Sequence, residues 1–319
     1  MPQPVHSVFG RIFLIIYIPV IDGMLFRVTG KKPLVTGPGQ LNSQTKDESN
    51  MLISATITDS GSSFSPILFT GDLVERIKHV AALGFKGVEL HIRDPLACNL
   101  KGIRDALEKS ELTLTTIGTG RSYSEDRISF CDPNPVIRGM AIARIQAITD
   151  IFGDFKPKII IGLIRGLIAH APSPAQGIEW INEALEACAS YAVRQEVIIL
   201  IEAANRFELD YLHTAEEVCS VIEQLNRPNL KLLLDTFHMN IEERSFIEPL
   251  RLFALHLGHM HFSDNNRKYP GAGMIDFKEI LRILKEIGFE GTAAFECLPQ
   301  PDPDTAALRA LETLSSSPL

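Results

Sequence analysis

The stretch "LKLLLDTFHMNIEE", residues 230–243, begins with four leucines and a lysine and then changes abruptly to Asp235, Thr236, Phe237 and His238. A short, almost wholly apolar run is typical of a strand buried on both faces of a parallel sheet. A carboxylate follows that run directly, and an imidazole follows it three residues later. The pattern therefore predicts a buried strand that delivers Asp235 and His238 to one edge of a sheet.

The same alternation of a short apolar strand and a helical segment occurs eight times between residues 51 and 319. Residues 214 and 217 (Thr, Glu) and residues 276 and 279 (Asp, Glu) have the spacing of helix caps, which marks two of the helix starts. Eight such units predict an α/β fold, a (β/α)₈ TIM barrel. No GxGxxG turn follows the first strand, which argues against a doubly wound sheet. The predicted strands are "MLISATI", "GVELH", "LTLTTIG", "KIIIGLI", "EVIILIE", "LKLLLD", "HLGHMHF" and "GTAAFE".

Composition excludes several classes of protein. The chain has 319 residues, 45% of them hydrophobic, a formal net charge of -8 and no cluster of basic residues. Nucleic-acid binding depends on clustered Lys and Arg, so a nucleic-acid partner is not expected. The five cysteines are scattered and form no CxxC pair, which indicates neither a disulfide framework nor a zinc–thiolate site. A cytoplasmic location is expected.

Residues 1–50 differ from the rest of the chain. Their apolar segment "IFLIIYIPVI" (12–21) is ten residues long and contains Pro19, whereas a membrane helix needs about 20 apolar residues. The polar stretch that follows is typical of a linker. We predict that residues 1–50 form a disordered, dispensable extension, with a targeting segment as the alternative, and that residues 51–319 form a single catalytic domain without membrane contact.

The ends of the last four predicted strands carry groups that bind metals. Strand five ends in Glu202, strand six in Asp235 and strand eight in Glu296. Strand seven carries His259 and His261, which are two residues apart and so face the same side of the strand. The carboxyl ends of barrel strands meet on one rim, where the active site of such barrels lies. Three carboxylates and an imidazole form an oxygen-rich set that suits Mn²⁺, Mg²⁺ or Co²⁺. One divalent metal ion is therefore expected, because it also relieves the repulsion between the carboxylates.

Four segments carry a resemblance to a known family. "IEAANRFELD", "LLLDTFHMNIEE", "HMHFSDNNRKYPGAG" and "FECLPQPDP" resemble the metal-site segments of the ketose 3-epimerases, within the xylose-isomerase-like barrels. "GVELHIRDP", "TIGTGRSYSED" and "IIIGLIRG" are most similar to the 5-keto-L-gluconate epimerase branch, although "EAAN" replaces its usual Glu-Pro-Leu-Asn. The resemblance implies a metal held by Glu202, Asp235, His261 and Glu296, and a substrate held by Glu208, His238 and Arg267.

The chemistry of epimerisation requires the same groups. Inverting a carbon beside a ketone means removing a weakly acidic proton, through an enediolate, and returning one to the opposite face. Glu202 and Glu296 lie on different strands, so we predict that each serves as the acid or base for one face. Arg165, just beyond strand four, is predicted to bind a substrate carboxylate, with a loop ion pair as the alternative. The expected substrate is a small sugar or sugar acid.

Other functions and roles stay open at this point. An aldose–ketose or hydroxypyruvate-type isomerase would begin with the same proton abstraction, and an abasic-site endonuclease shares the fold but needs a basic groove. A non-catalytic sugar-binding protein is disfavoured because both bases are present. Glu89 is expected to face inward and support the site, and His91 and His256 are expected to be structural. Residues 118–134 are predicted to form a lid or an ordered loop, and formation of a homo-oligomer is undecided.

Overall fold

The computed structural model describes residues 51–61 and 65–316, so the predicted N-terminal extension lies outside the described residues. Eight parallel strands form a closed barrel, because each strand pairs with the next and β8 pairs with β1. A two-residue strand, Phe69–Thr70, also pairs with the end of β1. The predicted TIM barrel is confirmed. Its strands are β1 Leu52–Thr58, β2 Gly87–His91, β3 Thr113–Gly118, β4 Lys158–Ile161, β5 Ile198–Ala203, β6 Leu230–Asp235, β7 Leu257–His261 and β8 Thr292–Phe295.

Ten α-helices are present in the described part of the chain. Two of them, α3 and α7, were not expected from the sequence, because they are short and immediately follow strands rather than forming the outer layer. α7 begins where the Asp235 side chain accepts a hydrogen bond from Phe237 N, which caps its first turn. The helices are α1 Leu73–Ala82, α2 Leu100–Ser110, α3 Gly120–Ser124, α4 Pro135–Phe152, α5 Pro174–Ala192, α6 Ala215–Leu225, α7 Thr236–Glu242, α8 Ile247–Leu252, α9 Phe277–Glu286 and α10 Pro303–Ser315.

Both predicted helix caps are present. The Thr214 side chain accepts from Glu217 N, and the Glu217 side chain completes a capping box before α6. The Asp276 side chain accepts from Glu279 N at the start of α9. Satisfying these first-turn N–H groups fixes where each outer helix begins.

The hydrophobic core lies mainly between the barrel and its outer helices. A separate apolar cluster, Ile160, Leu200 and Leu233, comes from β4, β5 and β6. Because side chains alternate along a strand, Leu200 points the same way as Glu202, and Leu233 the same way as Asp235. This cluster therefore lies inside the barrel, beneath the rim that carries the predicted site.

The cysteines and the helices bear on two further features of the described residues. All five cysteines are free thiols, and four of them are buried, as their spacing predicted. Among the described helices, none is long and apolar enough to span a bilayer. The core and the thiols agree with the composition of the chain.

Candidate metal centre and substrate cavity

The carboxyl-terminal ends of β5 to β8 bring the four predicted metal ligands together. Asp235 and His261 are the last residues of β6 and β7, Glu202 is the fifth residue of β5, and Glu296 directly follows β8. One ligand atom from each residue lies within 4.8 Å of those from the other three. The strand-end carboxylates inferred from the sequence therefore form one cluster.

His261 lies at the centre of this cluster. Its Nδ1 is 3.4 Å from Glu296 Oε2, 3.5 Å from Glu202 Oε1 and 3.9 Å from Asp235 Oδ2. Within the described part of the chain, His261 Nδ1 and Glu202 Oε1 are buried without a hydrogen-bond partner. Unpartnered buried polar atoms are costly, and these two face each other among carboxylates. The residues present thus fit a divalent cation with three oxygen ligands and one nitrogen ligand.

The charges of the cluster are strongly coupled. Burial alone would raise the pKa of Glu296, but the charges of His261 and Arg267 hold it well below its usual range. Burial alone would lower the pKa of His261, but the charges of Glu89 and Glu296 raise it well above its usual value. The site therefore demands positive charge. A divalent cation would supply that charge and leave the imidazole neutral, which is the form that binds metals.

Arg267 contacts two of the four ligands. Its guanidinium donates to Asp235 Oδ2 and, over 2.5 Å, to Glu296 Oε2, and it stacks over the Phe237 ring at 4.8 Å. The Arg267 backbone has a φ of 61°, a left-handed conformation that few residues adopt. The loop after β7 thus aims this side chain at the rim, and the substrate contact that the resemblance implied for it stays a prediction.

His238 and Glu208 are linked by a residue that the sequence did not single out. Asn205 Nδ2 is 2.7 Å from His238 Nδ1 and 3.0 Å from Glu208 Oε1. Since an amide nitrogen only donates, His238 Nδ1 accepts and its hydrogen lies on Nε2, 3.8 Å from Glu202 Oε1. Asn205 therefore orients both side chains predicted to bind substrate. Its position in the quoted "EAAN" segment was the available clue.

A cavity of about 170 Å³ opens beside the cluster. Glu202, Glu208, His238, Arg267 and Glu296 line one side of it. Its volume is below the ~300 to 1,000 Å³ of typical ligand pockets. The cavity thus suits a monosaccharide-sized molecule rather than a polymer.

The segment 118–134 forms the opposite wall of the cavity. It contains α3, and its residue Arg121 lines the cavity while its guanidinium pairs with Asp59 and Glu125. Ile128 and Phe130 are fully buried, so much of the segment is packed into the protein. The structure supports the ordered-loop alternative for this part, and lid movement stays a prediction.

Two glycines leave the room that the site needs. A Cβ on Gly162, directly after β4, would lie 2.3 Å from Glu202 Oε2. A Cβ on Gly118, at the end of β3, would lie 2.5 Å from the His91 ring. At distances this short a side chain would displace its neighbour, so these two glycines leave space for the Glu202 carboxylate and the His91 imidazole.

Glu89 and His91 lie beneath and beside the cluster. Glu89 is fully buried, as expected from its inward direction, and its Oε1 is 2.7 Å from His91 Nε2. The same His91 nitrogen is 4.0 Å from Glu296 Oε1, and His91 lines the cavity. The expectation that His91 is structural stays a prediction, and its position on the cavity wall was not foreseen. His256 pairs with Glu223 near the surface.

Arg165 does not take the predicted position. It is 1% exposed, and its guanidinium donates to the backbone carbonyl oxygens of Ile161, Glu202 and Tyr211 over 3.3, 2.6 and 3.4 Å. Arg165 is also not among the residues that line the cavity, so its guanidinium is not placed to bind a substrate carboxylate there. Arg165 thus fixes the ends of β4 and β5 instead of lining the cavity.

Similarity to known proteins extends over most of the chain. A family model described as the xylose isomerase-like TIM barrel matches residues 77–316. The chain belongs to this family. It is 30% identical to a ketose 3-epimerase of Arthrobacter globiformis over 215 residues, which cover 67% of this chain and 73% of that protein.

Two further relatives of the family bear on the site. The chain is 32% identical to a D-psicose 3-epimerase of Ruminiclostridium cellulolyticum over 232 residues, covering 69% of this chain and 76% of that protein. A crystal structure of D-psicose 3-epimerase with D-tagatose, from Clostridium cellulolyticum H10, superposes with a TM-score of 0.70 at 25% identity, covering 84% of this chain and 99% of that one. The family resemblance read from the four motifs is confirmed, and the narrower 5-keto-L-gluconate branch stays a prediction.

Proposed function

We propose that the protein is a divalent-metal-dependent epimerase of a ketose or keto-sugar acid, acting at the carbon next to the ketone. Membership of the enzyme class that epimerises or isomerises carbohydrates follows from its named relatives. The observation that carries the finer proposal is the four-ligand cluster, with unpartnered atoms on His261 and Glu202. Both predicted bases of this cluster, Glu202 and Glu296, line a cavity of monosaccharide size.

The proposed roles follow from the donors and acceptors that face the cavity. Glu202, Asp235, His261 and Glu296 would hold the metal, which when bound polarises the ketone and favours loss of the neighbouring proton. Glu202 takes or returns that proton on one face of the sugar, and Glu296 does so on the other.

The remaining cavity residues hold the sugar in place. His238, with its hydrogen on Nε2, donates to a sugar oxygen, and Glu208 accepts from a hydroxyl. Arg267 donates to a sugar oxygen while holding Asp235 and Glu296 in place. Fixing the sugar in one orientation is what allows each glutamate to reach only one face.

Chelation and deuterium labelling test this proposal. Protein stripped of metal should lose activity on a panel of ketoses and ketouronates and regain it with Mn²⁺, Mg²⁺ or Co²⁺. In D₂O the product should carry deuterium at the epimerised carbon. Full activity in metal-stripped protein would contradict the metal, and an aldose product with deuterium at C2 would identify an aldose–ketose isomerase instead.

We also propose that residues 51–319 are the whole catalytic domain. All of the residues assigned above lie within this range, and the closed barrel begins at Leu52. A protein that starts at Met51 should therefore fold and keep the full turnover rate. If the shortened protein precipitates or loses activity, the boundary at residue 50 is wrong.

A further inference from the structure

Polar side chains cross the barrel interior from its amino-terminal end to the metal centre. Lys158 Nζ lies 2.7 Å from Thr292 Oγ1, which lies 2.6 Å from His259 Nδ1. His259 Nε2 is 3.3 Å from Glu89 Oε2, and the same oxygen is 3.2 Å from His261 Nε2. We call these five residues the interior chain. It lies beside the apolar interior cluster and ends on a predicted metal ligand.

The charges at the two ends of this chain fix the direction of its hydrogen bonds. An ammonium group only donates, so Thr292 Oγ1 accepts from Lys158 and turns its own hydrogen to His259 Nδ1. A neutral His259 then carries its hydrogen on Nε2, facing Glu89. These hydrogen positions are assigned from donors and acceptors, and every donor in the chain points towards the Glu89 carboxylate.

Glu89 gathers more donors than any residue except an ionised carboxylate can accept. Thr116 Oγ1 donates to its Oε2 over 2.5 Å, and His91 Nε2 lies 2.7 Å from its Oε1. With His261 Nε2, three donors bond to two oxygens, and His259 Nε2 lies 3.3 Å from Oε2 without a hydrogen bond among the described residues. An amide in the same place would offer one acceptor and would turn an N–H₂ group towards at least one of these donors.

This arrangement determines which nitrogen of His261 is free. A carboxylate at Nε2 holds the hydrogen there, so Nδ1 keeps its lone pair and faces Glu202 and Glu296. Without that carboxylate, the hydrogen would be drawn to Nδ1 by the three acidic groups around it. Carboxylates that bind the second nitrogen of a metal-binding histidine commonly fix its tautomer in this way.

We propose that Glu89 is a positioning residue that sets the tautomer of His261 for metal binding, and that Lys158, Thr292 and His259 hold Glu89 in place. The inference rests on the proposed function, because there His261 is a metal ligand. It adds a role for the barrel interior, including three residues, Lys158, Thr292 and His259, that lie below the cavity.

Metal affinity measured without sugar tests the inference. Full-length protein stripped of metal is titrated with Mn²⁺ and followed by electron paramagnetic resonance, and thermal unfolding confirms the fold of each variant. Glu89→Gln should weaken Mn²⁺ binding about 10- to 100-fold. The matched control is Glu243→Gln, which alters a half-buried carboxylate that accepts from Ala215 N far from the chain, and it should leave Mn²⁺ affinity unchanged.

A milder pair of variants tests the lower part of the chain. Thr292→Val removes the link between Lys158 and His259 and should weaken Mn²⁺ binding up to about fivefold, the worth of one hydrogen bond. Thr149→Val removes a buried hydroxyl that bonds only within α4, and it should not change Mn²⁺ affinity. Should Glu89→Gln fail to fold, this pair still decides the matter, because equal affinities in the two threonine variants would overturn the role of the chain.

The tautomer itself is read by ¹⁵N NMR of histidine-labelled protein with Mg²⁺ bound. His261 should carry its hydrogen on Nε2, and a hydrogen on Nδ1 would overturn the inference. The result is separable from the proposed function. Wild-type protein that binds Mn²⁺ but epimerises no sugar would contradict the function alone, whereas Glu89→Gln that binds Mn²⁺ as tightly as wild type would contradict the positioning role alone.

Discussion

The rim of the barrel differs between strands β5–β8 and strands β2–β4. The β5–β8 half carries the groups proposed to bind a cation or move a proton, among them Glu202 and Glu296. The β2–β4 half carries groups that make room or give support, namely Gly118, Gly162 and the buried pair Glu89 and His91. Substitutions in the β5–β8 half should therefore remove reacting groups, whereas substitutions in the β2–β4 half should change the positions of those groups.

The largest expected effect is in the half that supplies chemistry. Glu202→Gln and Glu296→Gln keep the side-chain shape but cannot take a proton, and each should lower turnover about 10²- to 10⁴-fold. Each variant should still exchange the substrate proton with solvent from the face whose glutamate remains, and the two should prefer opposite epimers. Proton exchange is followed by NMR in D₂O, with metal content measured alongside. If both metal-loaded variants exchange the same epimer, the assignment of one glutamate to each face is wrong.

The next largest effect is expected from Lys158, which lies in the barrel interior below the β2–β4 half, and it concerns the pH dependence of stability. Burial lowers the pKa of Lys158 from 10.5 to about 8. Between those values the unfolded chain binds a proton that the folded protein does not, so the free energy of unfolding should rise with pH. The change amounts to about 3 kcal/mol. Urea unfolding of wild type and Lys158→Met from pH 7 to 10.5 measures it, and a constant difference between the two proteins would contradict it.

A third test compares two glycines. In Gly162→Ala the new Cβ meets Glu202 Oε2 at 2.3 Å, so we expect the carboxylate to move, Mn²⁺ affinity to fall and stability to drop by about 1 to 3 kcal/mol. Gly139 lies within α4 with nothing within 4 Å of its Cβ position, and Gly139→Ala should instead stabilise the protein by about 0.5 to 1 kcal/mol. Equal stability changes in the two variants would contradict the inference that Gly162 is needed to leave space for Glu202.

The smallest effect on substrate choice is expected at Arg165. Arg165→Lys cannot reproduce three contacts to backbone carbonyls, so stability should fall by about 1 to 3 kcal/mol. The ratio of kcat/KM for a ketouronate over the matching ketose should not change, since the guanidinium holds backbone rather than substrate. Arg251→Lys, at an exposed ion pair with Glu286, serves as the control and should change stability very little. A selective loss of ketouronate activity in Arg165→Lys would restore the carboxylate role.

The sequence predicted the β5–β8 half of the rim better than the β2–β4 half. A carboxylate at the end of an apolar strand, such as Asp235, is visible in one dimension, and barrel geometry then brings such strand ends together. Gly162 matters because a Cβ at this position would lie close to Glu202, which is forty residues away in the sequence. No local sequence pattern encodes that distance. Arg165 was misjudged for the same reason, because two of the three carbonyls that bind it, those of Glu202 and Tyr211, come from later segments of the chain.

The fold shows the same division between local and non-local information. The eight strands and the outer helices follow from apolar periodicity and caps such as Thr214. The helix Thr236–Glu242 was not predicted because it is short and, like one other helix, lies on the rim. Its N-cap is Asp235, which the sequence indicated only as a metal ligand. The position of His91 near Glu296 could not be predicted, because that approach depends on the closed barrel.

Anomalous diffraction from crystals of the full-length protein grown with Mn²⁺ would test the metal centre most directly. We expect one manganese peak, bound by Glu202, Asp235, Glu296 and the Nδ1 atom of His261, with Glu89 hydrogen-bonded to Nε2 of the same ring. A peak held instead by Glu89 and His91, or no peak among the four predicted ligands at saturating Mn²⁺, would contradict it.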